Sequence, residues 1–481
     1  MEKRTTLNKT LKPHWVWAVA LGSSIGWGAF VQPVNWMETA GPVGAMIGMA
    51  IGALLMMIIA VSYGFLIKSF PVSGGEFAYT FVSLGRTHAF ISGWFLTLGY
   101  ICIVALNASA LALMFKYVFP SLLENFYLYD VAGWEVYGME IIIATLALVV
   151  FGLFNVRGSS FSGSMQFVFC VVMIAAVMAI FIMVGVHPDT GLSHAQPAFP
   201  TETTSLAAIL SIVAIAPWAY VGFDNVPQAA EEFNFSSNKA FRLIIYALLF
   251  AGFLYCLMIF STAIATPWEG LVAEGHLWGT GAAIEGLFGV AGLAILVVAL
   301  TMGIFTGLNG FIISTSRLLF AMSRAKFIPK SFSKVHPKYN TPYVSVIFTV
   351  AVSMIAPWFG REALTWVVDM SSIGVTIAYF YTCYTAFTLF SWNQSGVLTN
   401  KKIENAPVKT TFALLGMIAG LCFLGLLLVP GSPAVLGFES RIALLAWILL
   451  GILFYFVKRK EIHAIPEKEL EYLILGKEDK K

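Results

Sequence analysis

The stretch that decides the fold is GSSIGWGAFVQP, residues Gly22 to Pro33, in the middle of the first long apolar segment. The segment is long enough to cross a bilayer, yet three glycines and a proline are poorly suited to an uninterrupted helix. Unpaired backbone groups in mid-membrane are tolerated only where they line a cavity or a site. The stretch therefore predicts a membrane helix that is broken near its centre, with a binding site at the break.

The composition of the whole chain is that of a membrane protein. Of the 481 residues, 59% are hydrophobic and 11% are charged, whereas a soluble globular protein is about half apolar and a quarter charged. We predict an all-α polytopic membrane protein with 12 transmembrane helices, because twelve apolar stretches are long enough to cross roughly 30 Å of hydrocarbon. Their approximate limits are 14–36, 41–68, 88–118, 136–154, 160–186, 206–231, 241–266, 284–320, 342–359, 364–392, 411–429 and 438–457.

Basic residues collect on one side of this topology. With both termini on the same side, only Lys116, Arg361 and Arg441 of the 28 lysines and arginines fall on the opposite side. Lysine and arginine favour cytoplasmic loops, so both termini are predicted to be cytoplasmic in a multi-pass protein of the cell membrane. The net charge of +3 follows from this topology and indicates no nucleic-acid partner.

Residues for covalent or metal chemistry do not cluster in the sequence. The five cysteines lie singly in predicted spans, and the seven histidines fall in loops or at span ends, so no metal site and no catalytic cysteine is predicted. No Gly-x-x-x-x-Gly-Lys-Ser/Thr loop for ATP occurs. We expect no cofactor and no catalytic residues.

Two short segments have a related pattern. GAFVQP (Gly28–Pro33) lies in span 1 and GFDNVP (Gly222–Pro227) in span 6, and both begin with glycine and end with proline five residues later. Five spans separate them, so the second segment enters the membrane from the opposite side. This arrangement is typical of inverted repeats, each of which starts with a discontinuous helix.

The break in span 6 is expected between Trp218 and Asp224. A helix that restarts at Asp224 would use this residue as its N-cap and would place Pro227 in the first turn, where the missing N–H removes no hydrogen bond. An unbroken helix would cost roughly 3 kcal/mol at that proline. Asp224 is also the strongest ionisable candidate at membrane depth, so a role in proton coupling stays open beside the cap.

Broken helices leave free amides and free carbonyls. In span 1, the amides of Trp27, Gly28 and Ala29 would suit a carboxylate. In span 6, backbone carbonyls would accept hydrogen bonds from an ammonium group, and the residues concerned are Trp218, Ala219 and Val221. Together the two breaks predict a site for a zwitterion.

At these residues the sequence resembles the amino acid–polyamine–organocation (APC) superfamily, and in particular its bacterial amino-acid permeases. The resemblance rests on four motifs and covers roughly residues 20–395. It implies a 5+5 inverted-repeat (LeuT/APC-like) core, two extra helices and alternating access around a central site. The motifs are SSIGWGAF (Ser23–Phe30), FPVSGGEFAYTFVSLGR (Phe70–Arg86), YVGFDNVPQAAEE (Tyr220–Glu232) and NGFIISTSRLLFAMSRAKFIP (Asn309–Pro329).

The expected organisation follows from these repeats. It consists of a cytoplasmic N-terminus at 1–13, a first inverted repeat with TM1–TM5 at 14–192, a second with TM6–TM10 at 205–395, TM11–TM12 at 410–457, and a cytoplasmic tail at 458–481.

The resemblance also implies which residues contact the substrate. Asp224 is added from its position at the second break, and Tyr220 and Phe223 are possible gates beside that break. The backbone contacts implied by the family are Ser24, Gly26, Trp27, Gly28, Trp218, Ala219 and Val221.

Two departures from the family pattern affect function. Trp27 stands where the family usually has a small hydroxyl residue, so it forms either an indole wall of the pocket or a packing contact with neighbouring helices. Met173 stands where relatives often have a lysine in helix five, which puts proton coupling through that lysine in doubt. A sodium ion could occupy this space, with Thr301 or Thr306 as ligands.

The sequence thus predicts a secondary transporter of a small amino acid or amine, with a proton or a sodium ion as possible co-transported partner. A nutrient sensor on a transporter scaffold is one alternative. An intramembrane enzyme is the weaker alternative. Such an enzyme needs a nucleophile or a metal with a base at membrane depth, and no cluster of histidine, cysteine and glutamate in the sequence supplies one.

Overall fold

The computed structural model describes residues 4–360, 362–391, 406–432 and 434–476. The described chain is almost entirely helical, and two antiparallel strands, β1 Tyr127–Val131 and β2 Trp134–Tyr137, form a hairpin. Arg361 and the end of the expected second repeat at 395 lie outside the described residues. The helices of the first part are α1 Pro13–Ile25, α2 Gly28–Val31, α3 Pro33–Ser69, α4 Gly75–Val118, α5 Pro120–Leu123, α6 Gly138–Val156 and α7 Ser159–Val186.

The second part of the described chain begins at Ser205 and contains eleven further α-helices. They are α8 Ser205–Ala214, α9 Ala216–Ala219, α10 Asn225–Gln228, α11 Ala240–Ala265, α12 Trp268–Ala273, α13 Gly279–Arg324, α14 Tyr343–Ser353, α15 Glu362–Ser391, α16 Ala406–Leu428, α17 Phe438–Ala464 and α18 Glu467–Leu475. Short 3₁₀ turns lie at Leu192–Ala195, Ala230–Glu232, Ser237–Lys239, Lys330–Ser333 and Ala356–Phe359.

Within the described ranges, nine helices are long and apolar enough to cross a membrane. Predicted spans 1, 6 and 9 correspond to shorter pieces: the first and sixth are interrupted, and α14 gives way to the turn at Ala356–Phe359. The helices α3, α4 and α13 bend at Gly41, Gly85 and Gly289, so each joins two helical segments. The chain is a polytopic membrane protein, and the count of twelve spans and the inverted repeat stay predictions.

The burial of the helices separates a core from a perimeter. Most of α4 and α15 is buried and the two helices pack against each other, whereas little of α16 and α17 is buried. Leucines such as Leu146, Leu153 and Leu449 are exposed on long apolar helices, as expected for a surface that contacts lipid. The first helix α1 packs against α7, α11 and α13, which places the break after Ile25 inside the bundle.

Both ends of the described chain lie on the same face of the molecule. The Arg4 guanidinium donates to the carbonyl oxygens of Leu473 (3.1 Å) and Ile474 (3.4 Å) in α18. The backbone of Leu11 pairs with the segment around Phe233, just after predicted span 6. The chain termini and the end of span 6 therefore meet on one side of the bundle.

Candidate functional site

The first break consists of two residues between α1 and α2. Gly26 has a φ of 52°, a conformation that glycine adopts without a steric penalty. The N–H groups of Trp27, Gly28 and Ala29 donate to no acceptor in the described part of the chain. Three consecutive amide donors are therefore free at this break, as expected where a helix restarts.

The second break lies between α9 and α10 and touches the first. Gly222 has a φ of 132°, and a Cβ on it would lie 2.5 Å from the backbone carbonyl carbon of Ser23 and the nitrogen of Ser24. The Ser24 hydroxyl donates to the carbonyl oxygen of Tyr220 at 3.0 Å. Only glycine fits this close approach, which brings the two discontinuous helices together.

A small cavity of about 20 Å³ lies where the breaks meet. This volume holds about one water molecule, so the cavity is closed to a larger ligand in this conformation. Of the residues assigned to the site from sequence, Asp224 does not line it. Those that line it are Ser24, Gly26, Trp27, Gly28, Trp218, Ala219 and Val221, and they are joined by Ser23, Ile25, Ile103, Leu106, Asn107 and Tyr255.

Tyr255 of α11 is a site residue that the sequence did not indicate. Its buried hydroxyl lies 2.8 Å from the carbonyl oxygen of Ala219 and 3.0 and 3.1 Å from those of Ser24 and Ile25. It therefore links the two breaks and occupies the carbonyl of Ala219, which the sequence assigns to a substrate ammonium group. A single tyrosine in an apolar helix gives no sequence signal for such a position.

Asn107 of α4 supplies a second polar group. Its amide nitrogen donates to the carbonyl of Ile103 at 2.8 Å, whereas its Oδ1 accepts no hydrogen bond in the described residues. A buried acceptor without a partner is costly. Asn107 therefore offers the cavity an acceptor for a ligand N–H or O–H.

Trp27 separates the central cavity from a larger one. Its indole contacts that of Trp218 edge to face, with ring centroids 5.7 Å apart. Trp27 also lines a second cavity of about 410 Å³, together with Gln32, Asn35 and Tyr117. The structure thus places the Trp27 indole at the boundary of both cavities, on the side of the site away from the chain termini.

The cap predicted for Asp224 is wrong. Asp224 precedes α10, but its side chain makes no capping hydrogen bond. Its carboxylate accepts instead from the N–H of Gly222 (2.7 Å) and from the hydroxyls of Tyr100 (2.7 Å) and Tyr379 (3.4 Å). These donors hold the carboxylate beside the break and away from α10.

The two possible gates do not line the central cavity. Tyr220 is fully buried, and its hydroxyl donates to the carbonyl of Met49 at 2.8 Å. Phe223 packs against the rings of Tyr63 and Tyr379. Both rings pack against neighbouring helices outside the central cavity, and a gating role for them stays a prediction.

The two threonines suggested as cation ligands are not brought together. The Thr306 hydroxyl lies 2.9 Å from the carbonyl oxygen of Gly22 and 2.7 Å from that of Gly303, whereas the Thr301 hydroxyl faces Met114 Sδ at 3.3 Å. Five residues apart on one helix, they point to different neighbours. Only Thr306 is close to the first break.

Gln166 of α7 connects this helix to α1 and α13. It lies on the same helix as Met173, the position where relatives often have a lysine. Its amide nitrogen donates to the carbonyls of Ala18 (3.2 Å) and Thr306 (3.1 Å), and its Oε1 accepts from Asn309 at 2.8 Å. It lies seven residues, or two turns, before Met173, which is buried on the same helix. A neutral amide thus bridges α1 and α13 in this chain.

Ion pairs close the face that carries the termini. Glu232 pairs with Arg317 at 2.7 Å, and Glu231 pairs with Arg324 at 3.0 Å and with Arg4 at 3.2 Å. Burial raises the pKa of Glu231, but the guanidinium groups of Arg324 and Arg4 outweigh it and hold the pKa below its ordinary value. We call these five residues the ion-paired end.

Comparison with known proteins identifies the family. A family model described as amino acid permease matches residues 15–460. The chain belongs to the amino acid permease family. This permease is therefore a multi-pass membrane transport protein and not an enzyme.

Several proteins named as permeases, transporters or importers are similar to this permease over almost their whole length. The branched-chain amino acid permease BcaP of Bacillus subtilis (strain 168) is 26% identical over 451 residues, 91% of this chain and 90% of BcaP. The methylthioribose transporter of the same organism is 26% identical over 480 residues, 97% of this chain and 96% of the transporter. The low-affinity putrescine importer PlaP of Escherichia coli (strain K12) is 22% identical over 458 residues, 92% of this chain and 93% of PlaP.

Proposed function

We propose that this permease is a secondary transporter of a small amino acid or amine, which it binds at the two helix breaks and moves by alternating access. The observation that carries the proposal is that one cavity is lined by Trp27 and Gly28, whose amides are free, and by Val221, whose carbonyl accepts no hydrogen bond in the described residues. Free amides attract a carboxylate, and a free carbonyl accepts from an ammonium group. A zwitterion satisfies both.

The lining of the cavity supports a neutral amino acid over a diamine. Ile25, Ile103 and Leu106 are apolar, and an apolar pocket selects by size among small hydrocarbon side chains. No lysine, arginine, aspartate or glutamate lines the cavity among the described residues. The relatives named for branched-chain amino acids, methylthioribose and putrescine define the range of ligands to be compared.

The two faces of the molecule support access to the site from outside the cell. The ion-paired end closes the face with the termini, whereas the cavity of about 410 Å³ lies on the other side of Trp27. Basic residues favour the cytoplasm, so we place the termini and the ion-paired end there. The expected repeats at 14–192 and 205–395 would rock to open that end.

Counterflow in proteoliposomes tests the proposal. Vesicles loaded with unlabelled L-valine, L-leucine, L-alanine, L-lysine or putrescine are diluted into the same labelled compound, and transient accumulation of at least one neutral amino acid is expected. Protein-free vesicles are the control. Binding detected by thermal shift without counterflow of any compound would favour a nutrient sensor instead.

A further inference from the structure

A second group of buried polar residues lies between the helix breaks and the ion-paired end. Its centre is the pair Glu76 of α4 and Asp224 of the second break, both fully buried. One pair of packed tyrosines connects the two carboxyls: the Tyr63 hydroxyl donates to Glu76, its ring lies 6.1 Å from that of Tyr379, and the Tyr379 hydroxyl donates to Asp224. The sequence places Glu76 in a glycine-rich loop and favours a solvated residue there, whereas the structure buries it fully.

The partners of this pair are hydroxyls and amides. Glu76 accepts from the Tyr63 hydroxyl at 2.9 Å and is hydrogen-bonded to the side-chain amide of Gln228. No lysine, arginine or histidine lies within 4.0 Å of either carboxyl in the described residues. The titratable groups facing the pair are tyrosines from three helices: Tyr63 of α3, Tyr79 and Tyr100 of α4, and Tyr379 of α15.

Two buried carboxylates without a cation are unfavourable together. Burial disfavours the charged form, and a second carboxylate nearby disfavours it further. Three donors stabilise a negative charge on Asp224, namely the Gly222 N–H and the hydroxyls of Tyr100 and Tyr379. Glu76 has two, so a shared proton belongs on Glu76.

Gln228 provides an acceptor for that proton. Its side chain is fully buried and directed at Glu76, yet its Oε1 has no hydrogen-bond partner in the described residues. An unpartnered carbonyl oxygen in a buried cluster is costly, and it becomes paired if the amide turns and accepts an O–H from Glu76. This unmet acceptor indicates a proton at the cluster independently of the carboxyl pair.

The position of the cluster connects it to both parts of the transport path. Asp224 accepts from Gly222 at the second break. On the other side, the loop before Glu76 contacts the ion-paired end, since the Ser73 N–H donates to Glu231 Oε2 at 3.3 Å. Opening of the ion-paired end would therefore bring water to Glu76 while the helix breaks rearrange.

We propose that Glu76 and Asp224 form a proton-binding pair in which Glu76 holds one proton, and that release of this proton couples transport to the pH gradient. The inference rests on the proposed function for its coupling role but not for the presence of the proton. On release, the O–H bond of Glu76 breaks, the electron pair stays on the carboxylate, and water on the opened side takes the proton. The reverse step reloads the pair.

Infrared spectroscopy of the purified protein tests the bound proton without a transport assay. We expect the carbonyl-stretch band of a protonated carboxylic acid at pH 7 in the unmodified protein, and its loss in Glu76→Gln. Asp369→Asn is the matched control, because Asp369 is a half-buried carboxyl outside the cluster. Absence of the band at pH 7, or its loss in Asp369→Asn and not in Glu76→Gln, overturns the proposal.

Transport measurements test the coupling. The probe is whichever neutral amino acid, L-valine, L-leucine or L-alanine, gives counterflow in the unmodified protein. In Glu76→Gln we expect the ratio of pH-gradient-driven uptake to counterflow to fall at least tenfold, and an unchanged ratio overturns the coupling role. If no probe gives counterflow, the proposed function fails while the infrared result still decides whether Glu76 holds a proton.

Discussion

The two helix breaks share a glycine-to-proline pattern but satisfy their backbone groups in different ways. The first break leaves three consecutive amides that donate to no acceptor within the described ranges. In the second, the Ala219 carbonyl accepts from Tyr255 and the Tyr220 carbonyl from Ser24, and the Val221 carbonyl has no donor among the residues that the structure describes. The carboxylate half of the proposed site is thus built from backbone alone, whereas the ammonium half depends on side chains from other helices.

The largest effect is expected where the breaks touch. Gly222→Ala combines a positive φ with a Cβ 2.5 Å from the backbone of Ser23 and Ser24. Backbone cannot give way as a flexible side chain does, and alanine at a positive φ alone destabilises by about 1 kcal/mol or more. We expect counterflow to fall at least tenfold and the melting temperature of the purified protein to drop.

Alanine substitutions at two other glycines serve as comparisons for Gly222→Ala. A Cβ at Gly28 in the first break would lie 3.0 Å from the ring of Trp218 and 3.8 Å from the Tyr255 hydroxyl, with no backbone atom among its nearest neighbours. Side chains can shift, so the effect of Gly28→Ala should be smaller. Gly185→Ala on α7 meets nothing within 4 Å and should be neutral. Equal behaviour of Gly222→Ala and Gly185→Ala in both assays would contradict the close contact of the breaks.

The second-largest effect concerns the ion pairs that anchor the segment after the second break. Glu231→Gln leaves Arg324 and Arg4 without their counter-charge, and removing one partner of a buried pair costs about 3–5 kcal/mol. The arginines hold the pKa of Glu231 below its ordinary value. Their stabilisation is therefore complete above the unfolded pKa of about 4.3 and is lost as the pH falls through the lower folded value.

Melting temperatures measured against pH check this prediction. The difference between the unmodified protein and Glu231→Gln should be full at pH 7 and should shrink below about pH 4. Glu461→Gln is the control, because Glu461 pairs with Lys458 on the surface and exposed pairs contribute about 1 kcal/mol or less. A difference that grows as the pH falls would show that the pairs do not stabilise this end.

The sequence predicted the parts of the site that backbone chemistry determines. The positions of both breaks follow from glycine and proline. Seven of the eight predicted substrate contacts line one cavity, and their role in binding stays a prediction. The sequence places Asp224 at the second break, as observed, but assigns its side chain to a helix cap, which is wrong. The cap rule considers only the local chain, whereas Tyr100 and Tyr379 come from distant helices. For the same reason, the sequence does not indicate Tyr255 and favours a solvated Glu76, which the structure buries.

A smaller effect is expected from Tyr255→Phe, which removes the hydroxyl that links the breaks. A hydrogen bond of this kind contributes about 1 kcal/mol, which corresponds to about fivefold in an equilibrium constant. Tyr255 positions carbonyls of both breaks, so we expect KM for counterflow to rise about fivefold with little change in maximal rate. Tyr246→Phe, an exposed tyrosine on the same helix, is the control, and a change in maximal rate alone would contradict a positioning role.

The smallest effect, and the one that most directly distinguishes the two breaks, is expected from Trp27→Ser. The indole lies between the central cavity and the larger one, so its removal enlarges the site on the side of the free amides and should shift the preference towards larger side chains. We expect the counterflow ratio of L-leucine to L-alanine to rise severalfold, because one methylene in an apolar pocket is worth about 1–3 kcal/mol. Trp358→Ser, at an exposed tryptophan, controls for the loss of an indole. An unchanged profile would mean that Trp27 only packs against its neighbours and that the amides bind the carboxylate without an aromatic wall.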